Sequence, residues 1–132
     1  MLYVESNIQY ERLYFHQREI IRAHNGLLRA RYSNGQKYAK GVAEDVVAKQ
    51  LTKSATSIGA NYREASHAKS PNDFAAKLKI CESEAAETLY WIQLIINSEL
   101  MSPGKMQALE NEARELVAIF TAATKRAYTR RK

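Results

Sequence analysis

Apolar positions recur every three or four residues in four long segments, and three breaks separate them. In the first segment Leu13, Ile20 and Leu27, and beside them Tyr14, Ile21 and Leu28, return every seven residues. This spacing predicts a helix over about 7–32 with a wide apolar stripe. Ser6 with Gln9 three residues on has the form of a capping box at its start. Gly26 weakens that helix by about 1 kcal/mol relative to Ala, and Ser33-Asn34-Gly35 is a turn signal that ends it. In the second segment Val47, Leu51, Ser54/Ala55, Ile58, Tyr62 and Ala65 predict a helix over about 42–68. Its middle, residues 54–60, is made almost wholly of small side chains, which suits close approach of a neighbour at Gly59. Residues 36–41 read either as an extension of this helix or as a basic loop.

Ser70-Pro71-Asn72-Asp73 is a helix start, with Ser70 as N-cap, Pro71 at the first helical position and Asp73 at the positive end. Phe74, Leu78, Cys81, Ala85, Thr88/Leu89, Ile92 and Ile95/Ile96 carry the pattern over about 71–98. Ser102-Pro103 repeats the start. Met106, Leu109, Ala113, Leu116, Phe120, Ala123 and Ala127 then hold strict three-four spacing over about 103–128, the seam of near-parallel helix packing. Helices of some 25 residues are about 38 Å long. Short links make neighbours antiparallel, so the expected fold is all-α: one domain over 1–132, an up-down-up-down four-helix bundle.

Composition supports this. The 132 residues include two prolines and five glycines, few for a β-sandwich or barrel, and 45% hydrophobic side chains, enough for a core. Cys81 is the one cysteine, so no intrachain disulfide forms. No signal peptide or membrane span is visible, which points to a soluble, cytoplasmic protein.

Charge changes the picture more. The formal net charge is +6. Residues 1–40 carry seven cationic and three acidic side chains, 41–120 eight and eleven, and 121–132 five and none. Both ends are basic around a mildly acidic middle, as expected of a polyanion-facing surface. Arg12, Arg18, Arg22, Arg29 and Arg31 lie on the first helix; Lys125, Arg126, Arg130, Arg131 and Lys132 end the fourth. In an antiparallel bundle those helices are neighbours, and Tyr10, Tyr14 and Tyr128 can interleave with the cations. Arg with Tyr suits phosphate contact and base stacking. Without a recognition helix, RRM or zinc signature, binding is expected to follow the nucleic-acid backbone, with little sequence preference.

Catalytic and metal chemistry finds little support. Glu64-Ala65-Ser66-His67 has the Glu-x-x-His spacing of a di-iron site, but such a site needs two of these motifs and two further glutamates. His16 and His24 are two helical turns apart, too far to chelate one ion. No nucleotide-binding, hydrolase or zinc motif is present, so no cofactor and no enzyme activity are expected. The polar residues Asn61, Arg63 and Glu64, facing Glu84, Glu87, Tyr90 and Trp91, are expected to form a structural network between the second and third helices, with a ligand site as the alternative.

Residues 54–92 carry something more specific. Ser54-Ala-Thr-Ser-Ile-Gly-Ala-Asn-Tyr-Arg-Glu-Ala65, then Ser70, Asp73-Phe74, Lys77-Leu78 and Ile80, then Glu84-Ala-Ala-Glu-Thr-Leu-Tyr-Trp-Ile92, resemble the bacterial four helix bundle protein family. That family includes proteins encoded by intervening sequences of 23S ribosomal RNA genes. The resemblance implies a homo-oligomer, a pentamer as in the related accessory proteins of diversity-generating retroelements, which are basic, bind nucleic acid and assist a reverse transcriptase. The Arg- and Tyr-rich first helix and residues 33–41 depart from the family pattern. The function expected is thus a non-catalytic, oligomeric, basic bundle that binds RNA or DNA. The alternative is an interaction scaffold whose basic face meets an acidic protein.

Overall fold

The structure is a computed structural model. It describes the backbone of residues 2–32, 40–101 and 103–130, and the side chains of residues 11–26, 43–101, 104 and 106–130. Four helices follow one another: α1 (Leu2–Tyr32), α2 (Lys40–Ser66), α3 (Pro71–Asn97) and α4 (Pro103–Arg130). No strand occurs among the described residues. Each helix packs on the next, antiparallel, and α4 closes weakly on α1. This is the expected four-helix bundle.

The element boundaries differ from expectation in informative places. α1 starts at Leu2, so Ser6 and Gln9 lie inside a helix and form no capping box. Nothing in Leu2-Tyr3-Val4-Glu5 breaks a helix, and α1 also runs through Gly26. α2 starts at Lys40, two residues before the expected point; the turn signal at 33–35 and most of the ambiguous stretch lie outside the described residues. The start of α3 is as read. Ser70 has extended backbone angles (φ −158°, ψ 162°), and its side chain accepts the Asp73 N–H. Asp73 reciprocates by accepting the Lys69 N–H at 3.1 Å. At the other end of α3, Glu99 takes the left-handed conformation (φ 54°). Its N–H donates to the Ile96 carbonyl at 3.1 Å and the Leu100 N–H to that of Ile95 at 3.2 Å, the two bonds of a Schellman cap.

Two apolar clusters fill the bundle. One gathers Ile20, Leu51, Ile92, Ile95, Met106 and Leu109. The other gathers Leu13, Ile58, Leu78, Cys81, Leu116 and Phe120, with the Tyr62 ring edge-on to Phe120 at 5.6 Å. Between them lies a buried polar rung. Thr88 Oγ1 donates to Ser54 Oγ at 3.0 Å or to the Glu84 carbonyl at 2.8 Å, and Ser54 Oγ donates to the Leu51 carbonyl at 3.1 Å.

The small-residue run of α2 does what its composition suggests. A Cβ on Gly59 would collide with Gln17 Nε2 of α1, and that amide donates to the Ala55 carbonyl at 3.3 Å. On α1 the apolar stripe is narrower than expected. Leu13 and Ile20 are buried, but Tyr14 and Ile21 are about half exposed. α1 rests mainly on one neighbour, so only the line Leu13, His16, Ile20, Ala23 faces the core.

Candidate functional site

The edge between α1 and α4 brings together most of the chemistry that the described residues hold. Its register is set by Arg12. The Arg12 Nε donates to Glu112 Oε1 at 2.5 Å, and Nη2 reaches the Glu115 carboxylate. Beyond this clamp, further along α1, the helices part. They leave a groove of about 610 Å³ lined by Phe15, His16, Ala23 and Gly26 of α1 and by Ala108 and Leu109 of α4. Met101 closes one end, its methyl 3.2 Å from where a Cβ on Gly26 would stand. Glu112 and Glu19 also line the groove. Both are ion-paired, Glu112 to Arg12 and Glu19 to Arg22 at 2.6 Å, so the groove is close to neutral.

His16 is the unusual member. It is 1% exposed, and neither ring nitrogen has a hydrogen-bond partner. Burial lowers its pKa to about 4, against a smaller upward pull from the Glu112 carboxylate. The ring is therefore neutral near pH 7, with one donor and one acceptor both unused. His24, two turns on, is satisfied: its Nδ1 lies 2.8 Å from Thr52 Oγ1 and 3.1 Å from the Ala48 carbonyl.

The expected phosphate contacts divide into groups. Arg12 is engaged in the clamp and is largely taken up by the fold. Arg18 and Arg22 are exposed on α1 beside the groove, Arg18 with its guanidinium 6.0 Å from the Phe15 ring centre. Lys125, Arg126 and Arg130 are exposed at the end of α4. Arg29, Arg31 and Arg131 lie outside the residues whose side chains are described. Because Arg12 meets Glu112 and Glu115, Lys125 is level with the first residues of α1. Arg18 and Arg22 then sit about 24–30 Å further along the axis at 1.5 Å per residue. The exposed cations fall in two groups, at the middle of α1 and at the end of α4, and do not form one patch.

The polar network resolves into separate contacts. The short turn after α2 sets a register in which Glu64 meets Lys77, whose ammonium donates at 2.6 Å, and Ser54 meets Thr88. Residues 61–64 therefore face the first turns of α3, about 5–20 Å along the axis from Glu84, Glu87 and Trp91. Asn61 donates to the Ser57 carbonyl of its own helix at 2.8 Å. Arg63 donates to the Tyr14 hydroxyl of α1 at 3.2 Å, and Trp91 Nε1 to Glu87 at 3.2 Å. Glu84 has its pKa raised by partial burial and by Glu87, against a downward pull from Lys53.

Cys81 is buried, and its thiol is pushed up to about 12, chiefly by desolvation. It donates weakly to the Ile58 carbonyl at 3.6 Å and is no nucleophile at neutral pH. Among the described residues no cluster of three metal-ligating side chains occurs, and no helix is long and apolar enough to cross a membrane.

Sequence reasoning missed His16 and the Arg12 clamp. A signal for His16 was present: it falls three residues after Leu13 and four before Ile20, in phase with the core.

Fold and edge together define a small antiparallel four-helix bundle with a basic, grooved α1–α4 side. Residues 19–122 match the family model described as 23S rRNA-intervening sequence protein, and the chain belongs to that family. It is also similar to a crystal structure from Bacteroides thetaiotaomicron, a protein of unknown function from the S23 ribosomal protein family. That chain is 31% identical, with a TM-score of 0.75 over 92% of this chain and 99% of that one. No curated protein matches.

Proposed function

We propose that this protein is a non-catalytic nucleic-acid-binding bundle that holds RNA or DNA by its phosphates along the α1–α4 edge. The observation that carries this reading is the exposure of Arg18 and Arg22 at the middle of α1 and of Lys125, Arg126 and Arg130 at the end of α4, in a chain of net charge +6. The Arg22–Glu19 pair is exposed, and such pairs are worth little, so Arg22 is readily exchanged to a phosphate. The family's link with ribosomal RNA genes agrees with a nucleic-acid partner. Arg29, Arg31 and Arg131 add to the cationic residues of the sequence.

The working unit is a homo-oligomer, a pentamer by family resemblance. Five chains at +6 each carry +30, and such multivalency raises avidity without sequence readout. In a retroelement setting the same cationic particle serves a reverse transcriptase as its accessory factor.

The test replaces Arg18, Arg22, Lys125 and Arg126 with Gln and follows binding to RNA and DNA duplexes over a salt series. The unaltered protein should show a steep linear fall of log affinity with log salt, because each phosphate contact releases counterions. The variant should bind more weakly, with a slope shallower by roughly one unit for each phosphate it no longer holds. Different sequences should bind alike. Absence of binding by the unaltered protein at about 100 mM salt, where the Debye length is still about 10 Å, sinks the proposal and leaves an acidic protein as the partner to seek.

A further inference from the structure

We infer that the groove between α1 and α4 takes up one unpaired nucleobase, with His16 as its hydrogen-bonding group and Phe15 as its stacking face. This rests on the nucleic-acid reading above and adds to it a preference for single strands.

The groove exists because α1 leans on α2 and meets α4 chiefly through the Arg12 clamp. The small side chains of Ala23, Gly26 and Ala108 leave its walls low. Its volume of about 610 Å³ lies within the range of small-molecule sites. Glu112 is held by the Arg12 clamp, and Glu19 stays at the groove when Arg22 turns to a phosphate, so the groove suits a neutral occupant better than an anion. Apolar surface from Leu109 and Met101 favours a flat, weakly hydrated body.

His16 narrows the choice. Folded proteins rarely leave a buried donor and acceptor bare, yet both nitrogens of this nearly inaccessible ring are without a partner. A neutral imidazole offers one donor and one acceptor. The polar edges of nucleobases, recognised when a base is splayed out of its strand, carry donors and acceptors that can meet them. The nitrogens are shielded in the free chain, so the ring turns toward the groove as the base enters. At the rim, Phe15 is 52% exposed, an aromatic face of the kind on which single-stranded bases stack. Arg18 and Arg22 follow it one and two turns further along the same helix, where the phosphates next to an inserted base would run. A duplex keeps its bases stacked and cannot make this insertion without melting.

The experiment uses the full chain and three probes: a single-stranded RNA of about 12 nucleotides, the duplex of the same strand, and the mononucleotides AMP, GMP, CMP and UMP. Binding of the RNAs is read by fluorescence anisotropy over a salt series. Mononucleotide uptake is read from the ring-nitrogen resonances of His16 in long-range 1H–15N spectra. The single strand should bind about 5- to 100-fold more tightly than the duplex, the range that one stacked base supplies, and mononucleotides should shift the His16 nitrogens. Ala108→Trp, at an exposed helical position, fills the groove; it should abolish both the preference and the shift while the salt slope for duplex stays unchanged. Phe15→Ala, which removes no core side chain, should reduce the preference in the same way. Equal binding of single strand and duplex, unmoved by either variant, overturns the groove assignment and leaves the phosphate reading standing. Should neither RNA bind, the phosphate reading fails and the mononucleotides decide the groove alone. A His16 shift that disappears in Ala108→Trp then upholds the site, and no shift overturns it.

Discussion

His16→Leu should make the protein more stable, and increasingly so in acid. The ring is buried with both nitrogens bare, and a buried unpaired polar group costs about 1–3 kcal/mol. Leucine fills a similar volume in phase with Leu13 and Ile20 and carries no polar atom. A gain of about 1–3 kcal/mol at pH 7.5 follows. The pH dependence comes from linkage. The folded ring titrates near 4 and the unfolded one near 6.5, so between these values the unfolded chain binds more protons. Stability is then fully present above 6.5 and is lost as pH falls toward 4. At 1.36 kcal/mol per pKa unit the total loss approaches about 3 kcal/mol, with about 2 kcal/mol gone by pH 5. The groups facing His16 are Glu112, held by Arg12, and Glu19, held by Arg22. They remain in the variant, as do His24 and His67, so the difference between the two proteins isolates this ring. The assay is urea unfolding at pH 7.5, 6.5, 5.5 and 5.0, at one protein concentration. The variant should be more stable throughout, with the gap widening by about 2 kcal/mol between the extremes. A constant gap, or a variant less stable at every pH, would refute the claim that the nitrogens are bare and the ring neutral. A side chain that weakens the fold and yet lines a groove is the expected mark of a functional position.

Ile58→Asp puts a charge in the second apolar cluster at a fully buried site; a loss of several kcal/mol and of cooperative melting by circular dichroism should follow. Glu99→Gly relieves the left-handed residue of the α3 cap and should raise stability by up to about 1 kcal/mol in urea unfolding. Arg12→Gln breaks the clamp; amide exchange should quicken in α1 while α3 stays protected. Light scattering coupled to size exclusion should give a mass several times 15.0 kDa, and a monomer at micromolar concentration would remove the avidity argument.

The bundle was legible because α2 and α3 have neighbours on both sides of their apolar faces and α4 is packed firmly along α3. In α4 the strict spacing of Met106, Leu109, Ala113, Leu116 and Phe120 marks five buried residues. α1 was harder to read, because periodicity reports which residues share a face but not how wide a face the neighbours cover. Tyr14 and Ile21 belong to the stripe yet stand half in solvent, while His16 and Ala23 complete the buried line. The polar contacts were hidden for a different reason. Whether Glu64 meets Lys77 or Glu84 depends on where the α2–α3 turn sets the register, and a shift of one turn changes every partner. The clamp joins residues 100 positions apart, a distance at which local pattern carries no information.

The Ser54–Thr88 rung bears on how this chain avoids misassembly. Two apolar faces with small residues slide past each other by a helical turn, about 5.4 Å, at modest loss, because leucine and alanine accept many partners. Such slippage would break the Ser54–Thr88 hydrogen bond at mid-bundle, while each hydroxyl keeps a carbonyl of its own helix, Leu51 and Glu84, to donate to. The rung therefore works as a detent of one interhelix hydrogen bond, about 0.5–1.5 kcal/mol, in favour of the aligned state. That preference keeps α2 and α3 matched in step as the chain folds.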